Sequence, residues 1–553
     1  MTMRRIVAPL VIALVVLAAL ALGVAWMPLR SARDAWQAGN DSLAIADAER
    51  WSSLHAWPGQ YHQLLAAAYL TAGNPAAAKP HLDALSKGTL WISIISEEDV
   101  ARRLFARRRY ADFLAYDGAV HDRDTPRNIP LYRVAALTAL NRIDEAATQI
   151  EFLYRSGVDP KKTAVLDAAI KQRKAGAYPL VFARDGSVIA TVKMQTGDLV
   201  ADDRDFDALI DREAGPLTIG ANLARIGSQD TIDTTLDPAI QRAAVQALGQ
   251  YRGSLVAIDP HTNEILAIAS TRGKGALQNL AFQGQYEPGS VVKVLTGMNA
   301  LSHGINANAM FPYMCKGDLM IDGRHFGDWL GPGHGELPDF DEALAESCNI
   351  FFADIGLRLG LDRLKAFMTS AGFDGQANLG LLQVPLGKTV GQIFNHFETA
   401  FYAIGLEHET TNALHLAMLA STVANHGLLT TPRLLRGRRS LLGDEVSGAP
   451  KQTSTLLAPA EAADRVALAM RRVVQSPKGT GRRAKVEGIT LALKTGTAGE
   501  RKEGGLESVI VAFAPAENPK IAFAMIAEDA GPAEYAGARI AHDFIVAIKP
   551  KLQ

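Results

Sequence analysis

Hydrophobic residues recur with helical spacing through the first third of the chain. From about Ser31 to Ile170 the sequence is rich in Ala and Leu, as in LLAAAYLTAGNPAAAKPHLDAL (64–85) and YRVAALTALNRIDEAATQI (132–150). Each stretch has an apolar helix, a short polar break (AGNP; NRID) and a second alanine-rich helix. The pattern predicts an all-α region of helical hairpins over residues 31–175.

The periodicity changes near Tyr178. The stretch YPLVFARDGSVIATVKMQ (178–195) alternates apolar and polar residues around an Asp-Gly turn, which is the pattern of a β-hairpin. We therefore expect a second region, residues 176–230, that contains β-structure and acts as a linker or pedestal.

The rest of the chain, residues 231–553, mixes both patterns. TIDTTLDPAIQRAAVQAL (231–248) is interpreted as a helix, and SLVAIDPHTNEILAIAS (254–270) as two strands joined by a polar turn. ESVIVAFAPAENPKIAFAMIAED (507–529) predicts two more strands, and AGARIAHDFIVAI (536–548) predicts a helix. Strands at both ends bracket a helical middle, which predicts one α/β or α+β domain closed by its termini.

One apolar run stands at the N-terminus. Ile6 to Met27 follows Arg4 and Arg5 and is long enough to cross a bilayer. A cleaved signal peptide is the alternative, because Ala19-Leu20-Ala21 has the small-x-small form, but the run continues past it. We expect residues 1–28 to be a cytoplasmic N-terminus and single transmembrane anchor, with the rest of the chain outside the cytoplasm.

Composition narrows the function classes. Among 553 residues, 57 Lys and Arg nearly balance 58 Asp and Glu, so charge does not point to nucleic acid. Two cysteines exclude a disulfide-rich scaffold and a cysteine-rich zinc site. His408, His415 and His426 lack the i,i+4 spacing of a zinc helix, and GPGHG (331–335) is interpreted as a loop. We assign no metal and no cofactor.

The stretch YEPGSVVK (286–293) suggests an activated nucleophile. Pro288 and Gly289 form a turn before an apolar run, so Ser290 is expected at a helix N-terminus. Residues three apart share one helix face, which places the Lys293 amine within reach of the Ser290 hydroxyl. An N-cap serine and a lysine on the helix surface are the alternative, and a chain of this length holds about one S-x-x-K by chance.

Two further polar motifs follow in the same region. They are Ser347-Cys348-Asn349 and, at the end of the strand-like segment ITLAL, Lys494-Thr495-Gly496-Thr497. S-x-x-K, then S-x-N, then K-T-G is the motif set of penicillin-binding proteins and serine β-lactamases, and the chain resembles this family over roughly 231–549. The resemblance is to a monofunctional, class B-like transpeptidase, and it implies an antiparallel sheet with helices. One departure is S-C-N, where many members have S-D-N or S-S-N.

The resemblance implies a nucleophile and its base. Ser290 would attack the substrate after Lys293, kept neutral in a partly desolvated site near the cation of Lys494, takes its proton. Ser347 would relay protons toward the leaving amine, and Asn349 would hold the substrate amide.

The resemblance also implies how the substrate is bound. A donor peptide would add to the strand of Thr495, Gly496 and Thr497, whose hydroxyls and Lys494 attract its terminal carboxylate. The backbone amides of Ser290 and Thr497 would form the oxyanion hole.

These roles predict a membrane-anchored D,D-transpeptidase that cross-links peptidoglycan stem peptides ending in D-Ala-D-Ala and is acylated by β-lactams. A D,D-carboxypeptidase, a β-lactamase and a non-enzymatic β-lactam sensor or scaffold remain alternatives. SEEDVARRLF (96–105) faintly resembles a glycosyltransferase element, but the expected downstream H-x-G is missing. A separate membrane glycan polymerase and other cell-wall synthesis proteins are therefore the expected protein partners. The helical region resembles tetratricopeptide repeats, although its period is irregular and generic hairpins fit as well.

The only two cysteines, Cys315 and Cys348, lie 33 positions apart in a region expected to be exported. Oxidation is permitted there, so a disulfide between them is one alternative. The other is two unpaired thiols, because the middle residue of S-C-N should point into packed core.

Overall fold

A computed structural model describes residues 26–52, 58–87, 92–120, 128–210, 215–218, 230–271, 279–305, 307–499 and 505–553. The chain divides into two compact units. One comprises the described residues up to Tyr178 together with Asp230 and Arg439–Val446. The other comprises the remaining described residues, from Pro179 to Gln553.

The first unit is built from helices that pack on their neighbours along the chain. Besides residues 26–37, the helices are Asp41–Ser52, Pro58–Ala72, Pro75–Ser86, Glu97–Ala106, Tyr110–Val120, Ile129–Ala139, Ile143–Ser156 and Pro160–Lys174. The break AGNP is explained by its residues, because the Asn74 side chain accepts the Ala77 amide as an N-cap and Pro75 begins the next helix. The all-α prediction for this region is confirmed.

The predicted membrane anchor, Ile6–Met27, lies almost entirely outside the described residues. Within the part of the chain that is described, every helix is too short or too polar to cross a bilayer.

Most residues of a six-stranded sheet belong to the second unit. In order across the sheet its strands are Glu445–Ser447, Leu435–Arg439, Thr231–Thr234, Ala177–Phe182, Val188–Lys193 and Leu199–Ala201. The predicted hairpin after Tyr178 therefore forms. The helix predicted over 231–248 was wrong at its start, because Thr231–Thr234 pairs in parallel with Ala177–Phe182 and the helix is Pro238–Leu248. Three of the four strand residues are β-branched, which favours a strand, and the Asp237 side chain then caps the helix.

A five-stranded antiparallel sheet forms the core of this unit. In order its strands are Ala492–Ala498, Glu507–Ala514, Ile521–Ala527, Gly253–Ile258 and Ile265–Ser270. All seven residues of the central strand are buried, which explains its continuous apolar run. The first strands of the region pair with the last, so the prediction of a domain closed by its termini is confirmed.

Helices cover this sheet. Pro238–Leu248 and Ala536–Leu552 pack on each other and on the sheet, and Ala413–Ala424 also packs on its strands. The other helices of the unit are Leu280–Gln283, Lys293–Ser302, Phe340–Ala345, Asn349–Leu359, Leu361–Ser370, His396–Ile404 and Ala460–Gln475. Short two-stranded sheets pair Tyr313–Cys315 with Gly335–Leu337, Asp318–Ile321 with Arg324–Gly327, Gln376–Asn378 with Gln383–Pro385, Lys388–Thr389 with Glu409–Thr410, and Leu428–Thr430 with Ser454–Leu456. Single 3₁₀ turns are Arg204–Leu209, Gly289–Val292, Ala307–Met310 and Arg482–Ala484.

Glu409 is a buried carboxyl group without a hydrogen-bond partner. Its residue is 1% exposed, and within the described structure neither carboxylate oxygen is hydrogen-bonded. Burial, with the nearby charge of Glu287, raises the pKa of Glu409 well above its ordinary value. The folded protein therefore holds this proton at pH values where the unfolded chain has lost it.

We expect Glu409→Gln to stabilise the protein, by about 1–3 kcal/mol at alkaline pH, because a neutral amide avoids the cost of ionising a buried group. The Glu409 carboxyl contributes most to the free energy of unfolding at about pH 4.5 and below. This contribution falls as the pH rises toward the raised pKa that Glu409 has in the folded protein. The melting temperatures of the two proteins should thus differ more at pH 8 than at pH 5. The exposed neighbour, altered as Glu407→Gln, is the control, and a pH-independent difference for Glu409→Gln would contradict this reading.

Candidate active site

The first motif forms a tight turn into a buried helix. Ser290 lies in the 3₁₀ turn Gly289–Val292, and Lys293 begins the helix Lys293–Ser302. Gly289 has φ +58°, and a Cβ atom there would lie 2.8 Å from the Thr497 carbonyl oxygen. Only glycine fits this close approach. The Pro-Gly before Ser290 therefore brings the backbone of the turn against the third motif.

The second motif lies where two helices meet. Ser347 follows the helix Phe340–Ala345 with φ +58°, a conformation that costs energy for a non-glycine residue and clusters at functional sites. Cys348 caps the next helix, because its Sγ accepts the Phe351 amide at 3.3 Å. Asn349 is the first residue of that helix. The residue of this motif that caps the helix is thus Cys348.

The third motif occupies an edge strand. Lys494, Thr495, Gly496 and Thr497 lie on Ala492–Ala498, which pairs on one side with Glu507–Ala514 and ends the five-stranded sheet. A Cβ atom on Gly496 would lie 2.6 Å from the Pro288 carbonyl oxygen. The glycine of K-T-G is therefore needed for contact with the first motif.

Two buried lysines from different motifs converge on Ser347. The Lys494 amine donates to Ser347 Oγ at 2.9 Å and to the Thr495 carbonyl oxygen at 2.7 Å. The Lys293 amine donates to the Ser347 carbonyl oxygen at 2.7 Å, lies 3.3 Å from Ser347 Oγ, and donates to Asn349 Oδ1. Both lysines have 0% exposure. The structure thus brings five predicted site residues into one hydrogen-bond network.

Burial lowers the pKa of both lysines. Desolvation lowers the pKa of Lys293 to about 8, against smaller opposing effects that include the charge of Asp328. Desolvation and the charge of Lys293 lower the pKa of Lys494 well below its ordinary value. A neutral amine has a free lone pair, so either lysine can accept a proton at a pH near neutrality.

Ser290 is half-buried and lines the groove in front of these lysines. Within the described structure the Lys293 amine is bonded to Ser347 and Asn349 and makes no hydrogen bond to the Ser290 hydroxyl. The expectation of a direct Ser290–Lys293 hydrogen bond is thus not met in this unliganded geometry, in which catalytic contacts are often long.

The groove has a volume of about 260 Å³. Its lining residues come from all three motifs and from five further segments: Ser290, Trp329, Ser347, Asn349, Leu406, Thr480, Thr495, Thr497, Leu506, Pro532 and Glu534. The sequence analysis missed Thr480 as a site residue. Its hydroxyl lies 2.6 Å from that of Thr495, and its amide donates to the Ala345 carbonyl oxygen at 3.0 Å. The sequence feature that could have identified Thr480 is the pair of glycines on either side of it.

A buried polar cluster supports the second motif. Asp328 Oδ2 accepts the backbone amide of Asn349 at 2.9 Å, and Asp328 Oδ1 lies 3.2 Å from His334 Nε2. His334 Nδ1 lies 3.1 Å from Glu346 Oε2. Burial raises the pKa of Asp328, but the hydrogen bond from His334 and the charge of Lys293 outweigh it, and the pKa is about 2. An ionised carboxylate therefore holds the start of the helix that carries Asn349.

The same cluster offers donor atoms for a metal ion. Cys315, Asp328 and Cys348 place their sulfur and carboxylate atoms within 4.8 Å of one another. The hydrogen bond from Cys348 lowers the pKa of the Cys315 thiol to about 6, which favours the thiolate. The hydrogen bond with Cys315 and burial raise the pKa of the Cys348 thiol, which therefore keeps its proton, so the cluster offers one thiolate and one carboxylate rather than the two thiolates that would suit a cation such as Zn²⁺. No metal was assigned from the sequence, because it holds only two cysteines and the histidines considered lack the spacing of a zinc helix.

Both cysteines are buried and unpaired in the structure. We expect the protein, unfolded without reductant and treated with iodoacetamide, to gain two carbamidomethyl groups by intact mass. The matched variant Cys315→Ala should gain one. A wild-type protein that takes up no label before reduction and two afterwards would show the disulfide instead.

Comparisons with known proteins agree with this geometry. The family model described as penicillin binding protein transpeptidase domain matches residues 253–548. The chain is 30% identical over 339 residues to the peptidoglycan D,D-transpeptidase PbpA of Mycolicibacterium smegmatis, covering 54% of this chain and 67% of that protein. It is also 30% identical over 344 residues to the peptidoglycan D,D-transpeptidase MrdA of Acinetobacter baumannii, covering 53% of this chain and 50% of that protein.

Solved structures show the same fold. The D,D-transpeptidase domain of a peptidoglycan glycosyltransferase from Eggerthella lenta superposes with a TM-score of 0.60 at 24% identity, covering 68% of this chain and 99% of that one. PBPA from Mycobacterium tuberculosis superposes with a TM-score of 0.58 at 23% identity, with the same coverage. The segment that matches the family model is more than half of this chain and contains all three motifs. The chain belongs to the penicillin-binding protein transpeptidase family.

Proposed function

We propose that the chain is a peptidoglycan D,D-transpeptidase that cross-links stem peptides through an acyl-Ser290 intermediate and is acylated by β-lactams. The observation that carries the proposal is the convergence of Lys293 and Lys494, both with lowered pKa, on Ser347 Oγ beside Ser290. Such a pair supplies bases for a serine nucleophile.

In the acylation half-reaction, the neutral Lys293 amine accepts the Ser290 hydroxyl proton as Oγ attacks the carbonyl carbon of the donor peptide bond. The oxyanion forms against the backbone amides of Ser290 and Thr497. The backbones of Gly289 and Thr497 lie close together, since a Cβ atom built on Gly289 would be 2.8 Å from the Thr497 carbonyl oxygen. This closeness supports the pairing of the two amides in the oxyanion hole. When the tetrahedral intermediate collapses, the C–N bond breaks and the terminal amino acid departs.

The leaving amine needs a proton, and Ser347 is placed to pass one on. Its Oγ lies 3.3 Å from the Lys293 amine and 2.9 Å from the Lys494 amine. The proton taken from Ser290 can thus move through Ser347 to the amine. In the second half-reaction an acceptor amine attacks the ester carbonyl, the same groups work in reverse, and Ser290 regains its proton.

The donor peptide would bind along the edge strand that carries Thr495, Gly496 and Thr497. Extended peptides add to exposed strand edges through main-chain hydrogen bonds. The hydroxyls of Thr480, Thr495 and Thr497 line the groove and would bind its terminal carboxylate, with Lys494 behind them.

The test is incubation with a synthetic D-Ala-D-Ala donor, with and without an amine acceptor, followed by mass analysis of the products. We expect the acceptor to be joined to the donor with release of D-alanine. Hydrolysis unaffected by the acceptor would favour a D,D-carboxypeptidase, and turnover of penicillin without a lasting adduct would favour a β-lactamase.

The chain organisation belongs to the same proposal. Residues 1–28 would hold the N-terminus and a single-pass anchor in the inner membrane, with the tetratricopeptide-like region 31–175, the linker 176–230 and the transpeptidase region 231–553 in the periplasm. The apolar run Ile6–Met27 supports the anchor. A membrane glycan polymerase would supply the strands that are cross-linked.

A further inference from the structure

We propose that Glu534 selects substrates by charge, binding an ammonium group of a stem peptide in the groove beside Ser290. The inference rests on the proposed transpeptidase function and adds a specificity-determining residue to it. Both motif lysines are already assigned to proton transfer and carboxylate binding, which leaves the groove without an assigned partner for a substrate cation.

Glu534 is held in place by the third motif. The amide of the preceding residue, Ala533, donates to Thr497 Oγ1 at 3.0 Å. Pro532 and Glu534 on either side both line the groove that contains Ser290. The acidic side chain therefore belongs to a segment tied directly to the substrate-binding strand.

Glu534 is the only charged residue among the groove-lining residues that the structure describes. Lys293 and Lys494 are fully buried behind the groove and hydrogen-bonded to Ser347. The carboxylate of Glu534 makes no ion pair within the described residues, and the Arg483 guanidinium beside it donates to the Glu534 carbonyl oxygen at 3.5 Å and lies over the Tyr535 ring. Among the residues that the structure describes, the groove lining thus carries one negative charge, which can attract a substrate cation.

The chemistry of cross-linking supplies the cation. The acceptor strand must bring an amine, and an aliphatic amine is an ammonium ion near neutral pH. Donor and acceptor strands come from the same polymer, so both carry the residue that bears this amine. A donor that places its carboxylate at the threonine hydroxyls and its ammonium at Glu534 would be held in one orientation, because the reversed orientation sets like charges together.

The test compares matched substrates on the wild-type protein and on Glu534→Gln. Second-order rate constants for Ser290 acylation are measured with benzylpenicillin, which has a neutral side chain, and with aminobenzylpenicillin, which carries an ammonium group. We expect the ratio of the two rate constants, aminobenzylpenicillin to benzylpenicillin, to fall by about 3- to 10-fold in the variant. In the wild type, 0.5 M salt should lower the same ratio, because it screens the charge of Glu534. Glu534→Asp should retain most of the ratio, and Glu487→Gln, an exposed acid outside the groove, should not change it.

A second arm asks which strand supplies the ammonium. A neutral thioester donor is combined with D-lysine or D-norleucine as acceptor, and aminolysis rates are compared in the same variants. A ratio that falls only with the penicillins assigns the ammonium to the donor strand, and one that falls only with the acceptors assigns it to the acceptor strand.

Unchanged ratios in both arms would overturn the role of Glu534. That result is distinguishable from failure of the proposed function, which would appear as absent acylation of the wild-type protein by benzylpenicillin and would remove this inference as well.

Discussion

Ser290→Ala is expected to abolish covalent labelling by a fluorescent penicillin, a loss of at least about 10³-fold in the acylation rate, because Ser290 carries the one groove hydroxyl that makes no hydrogen bond within the described residues. The Ser347 hydroxyl is engaged with the Lys494 amine, and Thr495 and Thr480 bond to each other. Gel fluorescence and intact mass report the result. Labelling of the alanine variant at the wild-type rate would remove Ser290 as the nucleophile.

The same variant should remain folded. The Ser290 side chain makes no hydrogen bond within the described structure and does not cap its 3₁₀ turn, which Pro288 precedes. Removing one hydroxyl from such a position typically changes the free energy of unfolding by less than about 0.5 kcal/mol. Ser302→Ala, at the end of the following helix and outside the groove, is the matched control for labelling.

Lys293→Ala should slow acylation by about 10² or more, because it removes the general base and leaves Ser347 and Asn349 without a shared partner. Lys494→Ala is the informative comparison. It should mainly weaken recognition of the substrate carboxylate, raising KM or the β-lactam concentration needed for half-maximal labelling. Acylation of both variants at the wild-type rate would show that the assigned roles are wrong.

The pH dependence distinguishes a base from a structural lysine. Because burial lowers the pKa of Lys293 to about 8, about a tenth of this amine is neutral at pH 7 and most of it is neutral at pH 9. The wild-type acylation rate should therefore rise with pH through a midpoint near 8, and Lys293→Ala should lose that rise. A flat wild-type profile between pH 6 and pH 9 would contradict the role of Lys293.

Local patterns predicted the elements that carry the site. The turn before Ser290, the helix after it and the strand with K-T-G follow from residues within a few positions of one another, and the structure has all three. The strand Thr231–Thr234 was missed because its identity depends on pairing with a strand about 50 residues earlier. Local propensity alone does not contain that contact.

The parts of the site that were missed depend on distant contacts. Asp328 and His334 lie in a segment for which no site residue was predicted. In the structure Asp328 accepts the backbone amide of Asn349, and His334 contacts Asp328. Glu534 acquires its position through the amide of Ala533 and the hydroxyl of Thr497, 36 residues apart. No local sequence pattern marks the positions of such side chains, because the residues they contact lie far away along the chain.

The most direct test of an acyl-enzyme transpeptidase is to trap the intermediate and then chase it. Wild-type protein is mixed with a D-Ala-D-Ala donor, quenched in acid within milliseconds to seconds, and digested to locate the added mass. The account predicts an adduct equal to the donor minus D-alanine on the peptide containing Ser290, which disappears on addition of an amine as the cross-linked product forms. Cross-linked product formed without any adduct on that peptide, or an adduct on a different residue, would contradict it.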